Sequence, residues 1–513
     1  MVEDTTAILA GTLLGNSAAR AGDRLAVIDP DGSLSYAALD SSADAVARAL
    51  RGRGVAKGER IAVLAGNGVD FARLFFGAAR AGVVLVTLSA RNSAAEIDRL
   101  LERTGARLLF HDDARDTDHA VAIPAIRFGT AFDRFAQSGG PDSAQAAVLP
   151  DDPLCMTFTG GTTGEPRGVL VSHRSRCAVA AGVAAAFGIG GEDIVCVTTP
   201  MAHVAGLLVC FVPAIAVGAS CVLQPRWDAG LFLDLVERHR ITASLMVPTQ
   251  LHDILAHVDF EAGRLASLRR IVHAGAPMPA ALLAALREQL PWIEFIENYG
   301  QSELGAVTAR RGADLPAKAG SIGRAIDGIE IAVLGPDGNA VPDGQPGELC
   351  CRGVNLLLGY DRDPEATAAL RKYGPDWLAT GDAAVRDSDG FYMLIDRIRD
   401  IVISGGENIY PAEIEAVLRG HPAVADCAAF GVPDARLGEV PVAHAVLASG
   451  RSASAGELIA FCAAGLARHK TPHHIQIVPD LPRTAIGKLR KNLLRAEYPA
   501  GLTSKDEQGV KKP

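Results

Sequence analysis

The sequence predicts an α/β protein: a large N-terminal domain of layered α/β subdomains plus a β subdomain, then a small C-terminal α+β domain. Three observations predict it. Residues 25–111 alternate short apolar runs with helically spaced segments, the pattern of α/β layers with mostly parallel sheets. From 320 to 360 the text turns rich in Gly, Pro and Asp with short strands between, which reads as sheet and turn without helices. Near 396–400 a second change opens a small α/β unit. The expected boundaries are 1–398 for the large domain, with the β subdomain at about 320–396, and 399–513 for the small one.

The elements follow in order. LAVID (25–29) and SLSY (33–36) read as strands, and the helical spacing from Tyr36 ends near Gly52 and Gly54. Strands are expected at 60–66, 83–89 and 106–112, with helices at 69–82 and 94–105. Residues 113–152 are less regular. Ile194 to Pro225 contains no Asp, Glu, Lys or Arg, a length that suggests a membrane helix. Pro200, Gly206, Pro213 and Gly218 interrupt it, so strand, loop, buried helix and strand are expected and no stable membrane span. Helices follow at 231–241, from Thr249 and at 280–290, with strands at 242–248, from 268 and at 292–300. The C-terminal unit carries helices at 411–419 and near 454–467, and its polar tail, 501–513, reads as disordered.

Bulk properties exclude several functions. Of 513 residues, 49% are apolar and 21% charged, a globular profile, and the net charge is −9. No basic run interleaves with aromatics, so nucleic acid is not an expected partner. The nine Cys form no C-x-x-C pair, and a reducing cytoplasm fits them. Glu3 and Asp4 stand where a secretion signal needs positive charge. G-x-x-x-x-G-K-[ST], G-x-S-x-G and H-E-x-x-H are all missing, so a Walker-type NTPase, a nucleophile-elbow hydrolase and a zinc protease find no support.

The most informative stretch is MTFTGGTTGEPRGVLVS, 156–172. An apolar strand ends at Phe158, and Thr159, Gly160, Gly161, Thr162, Thr163 and Gly164 lead to Arg167 and a second apolar strand. Glycine lets backbone N–H groups approach an anion, and successive N–H groups form anion-binding concavities. Thr hydroxyls and a forked guanidinium add donors, so the loop reads as a cover for nucleotide phosphates. It resembles the TSGTTGxPKG signature of the adenylate-forming family, which comprises acyl-CoA synthetases, peptide-synthetase adenylation domains and luciferases. Gly160 replaces Ser and Arg167 replaces Lys in that signature.

Further segments resemble the same family in the expected order. Asn298-Tyr299-Gly300-Gln301-Ser302-Glu303 ends a strand and resembles YGxTE. Alone it reads equally as an ordinary turn. The resemblance implies a Tyr299 ring on the purine, a Ser302 hydroxyl on a phosphate oxygen and Glu303 on Mg²⁺, with Gln301 tuning the substrate pocket. Gly275, Ala276 and Pro277, after His273, are implied to line the adenine and acyl sites through backbone. A lone Asp after Gly reads as a turn residue, but the string from Thr380-Gly381-Asp382 to GGENIYP resembles the family's sugar-binding and hinge motifs, which implies Asp382 on the ribose hydroxyls and Arg397 on the sugar or a phosphate. Asp400 is implied as the hinge, followed by the glycine loop Ser404-Gly405-Gly406. PRTAIGK, 482–488, resembles PRTxxGK, which makes Lys488 the cation bridging carboxylate and phosphate in adenylation. His203, in Met201 to Gly206, is implied at the junction of acyl pocket and thiol tunnel; a buried structural histidine is the competing reading. No Asp occurs between 194 and 225 to meet a substrate ammonium, which argues against an amino-acid substrate.

The resemblance implies an ATP-dependent carboxylate–CoA ligase using ATP, Mg²⁺ and coenzyme A. An acyl-adenylate forms with release of pyrophosphate, and CoA then takes the acyl group while a mobile small domain rotates about Asp400. The apolar, small-residue segments 203–217, 246–250 and 273–276 suggest a medium-chain, alicyclic or aryl acid. A malonate-type dicarboxylate, for which only Arg226 borders the stretch, and a catalytically silent nucleotide- or acyl-binding homologue are the alternatives. The residues leave the oligomeric state, a homodimer included, open.

Overall fold

A computed structural model describes residues 9–112, 123–140, 147–159, 166–314, 317–405, 407–483 and 489–498. Among these residues the strands form four sheets. In the largest, six strands run parallel in the order Glu294–Gln301, Arg270–His273, Ala243–Met246, Ile194–Val197, Ser220–Leu223 and Leu25–Asp29. Antiparallel strands close it: Gly305–Arg310 and Arg324–Ala325 on one side, Gly32–Ser35 on the other. The second sheet is parallel from Pro153–Thr159 through Val84–Thr87, Arg60–Leu64 and Leu109–His111 to Ala125–Arg127. Arg167–Ser172 returns antiparallel beside Pro153–Thr159, the hairpin expected around the glycine-rich loop.

Apolar burial explains the layering. Val46 and Phe75, from helices Tyr36–Gly52 and Val69–Ala81, join Val63 and Leu85 of one sheet and Val27 and Val195 of the other in one core. The outer face of the first sheet is covered by helices Ala229–His239, Pro248–Ala256 and Ala280–Gln289. Helix Ala94–Thr104 covers the outer face of the second through Ile97, Leu100 and Leu101. Sheets covered on both faces need near-continuous apolar strands, which is how Ile194–Val197 and Val84–Thr87 read.

The β region is an antiparallel sheet of Ile329–Leu334, Gly347–Gly353, Leu378–Arg386 and Tyr392–Arg397. The last sheet holds Val402–Ser404, Glu407–Ile409, Val424–Asp434, Gly438–Leu447 and His474–Ile477, with helices Pro411–Arg419 and Ala455–Gly465 as expected. The charge-free stretch is strand, turn, buried helix and strand. No helix among the described residues is long and apolar enough to cross a membrane.

Some readings need correction. Helix Ala10–Ala21 was not expected; it docks through Ser17, whose hydroxyl donates to the Ile215 carbonyl at 2.8 Å. The irregular stretch contains strand Ala125–Arg127 and helix Thr130–Gln137. From 320 to 360 no helix occurs among the described residues, as expected, but beyond it, within the expected β subdomain, Pro364–Ala369 is helical. Gly359–Tyr360 leaves that subdomain altogether and pairs with Leu170 and Val169 beyond the glycine-rich loop. The expected tail, 501–513, lies outside the described residues.

Candidate active site

Ligands of open parallel sheets bind beyond the carboxyl ends of the strands. Here those ends come together. Asn67, after Arg60–Leu64, donates from its amide to the carbonyls of Val197 and Thr199, each at 3.0 Å, and accepts from Met201 N–H at 2.6 Å. Thr87 at the end of its strand donates to the Ala202 carbonyl at 2.7 Å. The two sheets therefore share one edge. The His203 segment, Ala274 to Pro277, the Tyr299 segment and Thr159 all leave strands at that edge.

His203 is half-buried, and its carbonyl starts the helical turns by accepting from Leu207 N–H at 3.1 Å. The first of these turns, Ala205–Phe211, is π-helical, a geometry frequent at functional sites. Gly206 lies against the Pro200 and Thr199 carbonyls, where a Cβ would sit 2.3 and 2.5 Å from their oxygens. Gly275, Ala276 and Pro277 are exposed, as a backbone ligand surface requires. Beneath them His273 is 1% exposed, and burial, then Arg310 and Arg287, push its pKa down to about 3, so the ring is neutral.

The surroundings of Asp382 form a closed hydrogen-bond cluster. Asp382 is buried, and its Oδ2 accepts from the Tyr299 hydroxyl at 2.5 Å and from Gln301 Nε2 at 2.8 Å. Its Oδ1 lies 2.7 Å from Arg397 Nε. Gln301 Nε2 also reaches the Thr380 carbonyl at 3.0 Å. Burial, and then the Asp382 charge, hold the Tyr299 phenol well above its ordinary pKa, so it donates. Gln301 thus braces the carboxylate from within the site, where the sequence reading had it tuning the substrate pocket. Buried Asn298 donates to the Thr308 carbonyl at 2.8 Å and so fixes the strand pair.

The surroundings of Glu303 are arranged differently. Gly300 crosses so close to Gly305 that a Cβ would sit 2.0 Å from its carbonyl oxygen. The turn that follows presents Ser302 and Glu303, and Glu303 Oε1 accepts from the Tyr360 hydroxyl at 2.7 Å. Arg167 stacks over the Tyr360 ring at 5.3 Å, and its Nε is 3.4 Å from Asp363. Thr159 closes the hairpin opposite Arg167. Gly160, Gly161, Thr162, Thr163, Gly164, Gly406 and Lys488 lie outside the described residues.

Asp400 is buried at the end of a 3₁₀ turn, Ile398–Asp400, and Arg495 of helix Lys491–Glu497 contacts its Oδ1 at 3.1 Å. Asp396, whose pKa burial raises, accepts from Ala412 N–H at 2.8 Å. Ser404 is buried and Gly405 takes a positive φ of 58° in the turn that follows. These last residues surround the junction with the small domain, while Asp382 and Glu303 stand on the large one.

Sequence reasoning missed Asn67, Tyr360, Asn355 and Arg176. Each acts across a long chain separation, so only a polar residue interrupting an apolar run could have pointed to it.

Residues 14–361 match the family described as AMP-binding enzyme, and residues 413–488 match its C-terminal domain. The chain belongs to the AMP-binding enzyme family. Feruloyl-CoA synthase of an Amycolatopsis species is 34% identical over 473 residues, which cover 91% of this chain and 94% of that protein. Indoleacetate–CoA ligase of Aromatoleum aromaticum is 34% identical over 489 residues, covering 92% and 94%. Among solved structures, o-succinylbenzoate CoA synthetase of Bacillus subtilis, in complex with its acyl-adenylate intermediate, superposes with a TM-score of 0.83. That match is 29% identical and covers 96% of this chain and 98% of the other.

Proposed function

We propose that this AMP-forming acyl-CoA synthetase activates a medium-chain, alicyclic or aryl carboxylic acid with ATP and transfers the acyl group to coenzyme A. The observation that carries the reading is the single strand edge. It brings the apolar His203 segment, the exposed Gly275–Pro277 loop and the Tyr299–Glu303 segment together, and Tyr299 reaches Asp382 of strand Leu378–Arg386 in the antiparallel sheet. In the first step the substrate carboxylate attacks the α-phosphorus and pyrophosphate leaves. Asp382, held by Tyr299, Gln301 and Arg397, accepts from the ribose hydroxyls. The loop 159–167 and Lys488 stabilise charge on the phosphate oxygens, a preorganised electrostatic contribution. In the second step the CoA thiolate attacks the acyl carbonyl carbon and AMP leaves, with Asp400 as hinge between the two arrangements.

Mg²⁺ fits the phosphate end. Tyr360 engages Glu303 Oε1, and one carboxylate together with phosphates and water is a donor set Mg²⁺ accepts. No group of three or more His, Cys, Asp or Glu suited to a metal occurs among the described residues, and in this reading the nucleotide phosphates would supply further oxygens. A bound Mg²⁺ supplies charge neutralisation at the β- and γ-phosphates.

The pocket side favours an apolar acid. Leu207, Leu208, Val209 and Phe211 are buried around the π-helical turn, and Arg226, the candidate for a second carboxylate, is exposed. The named relatives that act on aromatic acids support the aryl branch. All nine Cys are buried and unpaired, which fits a reducing cytoplasm. Pyrophosphate release with ATP, Mg²⁺ and a panel of aryl, alicyclic, medium-chain and dicarboxylic acids, with and without CoA, tests the reading. An aryl, alicyclic or medium-chain acid should give the fastest CoA-dependent turnover. Preference for a dicarboxylate would overturn the substrate class, and no turnover with any acid would leave a silent homologue.

A further inference from the structure

Arg176 has the largest side chain among the residues with essentially no exposure, and no carboxylate lies within ion-pair distance of it among the described residues. A buried charge is costly unless it is paired or fully hydrogen-bonded. Its partners are carbonyls instead. Nη1 donates to the Asn355 carbonyl at 2.6 Å and to Ser175 at 3.3 Å, and Nη2 donates to the Ser302 carbonyl at 3.0 Å. Nε is buried without a partner. Asn355, itself 0% exposed, completes the cradle by donating to the Leu304 carbonyl at 3.1 Å. Gly305, at a φ of 75°, lies against the guanidinium, where a Cβ would be 3.5 Å from Nη1.

The cradle therefore grips the turn Ser302–Gly305 from behind, on both sides of Glu303. Arg176 reaches it from helix His173–Cys177, which directly follows the strand leaving the glycine-rich loop. Burial pushes the Arg176 pKa down to about 10, still charged at neutral pH, and Glu303 is the carboxylate whose field opposes that shift. Held at the Ser302 and Leu304 carbonyls, the turn gives the Glu303 carboxylate a fixed origin, and groups that orient metal-facing ligands tune affinity strongly.

We propose that Arg176 is the positioning residue of the metal-nucleotide end: it locks the Glu303 turn to helix His173–Cys177 behind strand Arg167–Ser172, so that the Glu303 carboxylate is presented to the metal-nucleotide in one fixed position. The proposal rests on the reading of Glu303 as the Mg²⁺-facing acid. Its test is binding of a non-hydrolysable α,β-methylene ATP by calorimetry across a Mg²⁺ titration, with AMP binding measured beside it. Arg176→Met should raise the Mg²⁺ concentration for half-maximal binding by about tenfold. AMP binding should stay unchanged, and Arg176→Lys should recover part of the loss. Arg176→Gln, with one forked donor pair, gives the same reading if the Met variant does not fold. Equal weakening of AMP and the ATP analogue, or an unchanged Mg²⁺ midpoint in a folded variant, overturns the proposal. Glu303→Gln is the control. If it shifts the midpoint and Arg176→Met does not, the positioning role alone fails; if neither does, the Glu303 reading fails with it.

Discussion

The two ends of the nucleotide site are prepared in opposite ways. At the sugar end, Asp382 is buried and its carboxylate is already engaged by Tyr299, Gln301 and Arg397, all side chains at the site itself. At the phosphate end, Glu303 takes one side-chain hydrogen bond, from Tyr360, and the turn carrying it is held from behind by Arg176 and Asn355. The difference teaches which half is built before ligand arrives. In the proposed reading, a ribose would meet a set of donors and acceptors that already satisfy one another, and its hydroxyls would compete with them. On the same reading, phosphates would meet an acid whose backbone is already fixed.

Lys488→Ala tests the asymmetry most severely. It should lower adenylation by roughly a hundred- to a thousandfold, the scale of losing one preorganised charge donor. CoA transfer from a supplied acyl-adenylate should change far less. Equal losses in stopped-flow measurements of both half-reactions would erase the distinction between the ends. Next in size is Asp382→Asn, expected to raise the ATP concentration for half-saturation by about a hundredfold, because Arg397 loses its buried partner. AMP binding should weaken to the same extent, since sugar contacts are common to both nucleotides; an ATP-only effect would place Asp382 at the phosphates. Gln301→Met should have the smallest effect. Removing its hydrogen bonds to Asp382 and Thr380 should weaken AMP about fivefold, with the acid preference unchanged. A changed preference on the acid panel would return Gln301 to the substrate pocket.

Much of this arrangement was readable in the residues. The glycine-rich hairpin, the Tyr299 segment and Asp382 are local runs whose residue types carry their own chemistry, and the strand and helix periods from 25 to 112 match the layers. What escaped depends on distant pairings. Arg176 reaches Ser302 across 126 residues and Asn355 across 179, and neither partner leaves a mark on the local pattern. Gly359–Tyr360 reads as more of the β region, yet it pairs beside the glycine-rich hairpin and brings Tyr360 to Glu303. Helix Ala10–Ala21 escaped because Ala, Gly and Ser residues give it a weak apolar stripe. The bond from Gln301 to Asp382 was not foreseen, since strand direction alone does not say that Asp382 lies across from it.

The central claim is that a carboxylate oxygen attacks the α-phosphorus and that AMP later leaves from the acyl carbon. Turnover with an acid labelled with ¹⁸O in its carboxylate, followed by mass spectrometry of the nucleotide, tests it directly. The account predicts AMP carrying one ¹⁸O and unlabelled pyrophosphate. Label in inorganic phosphate with ADP as the nucleotide product, or unlabelled AMP, would contradict it.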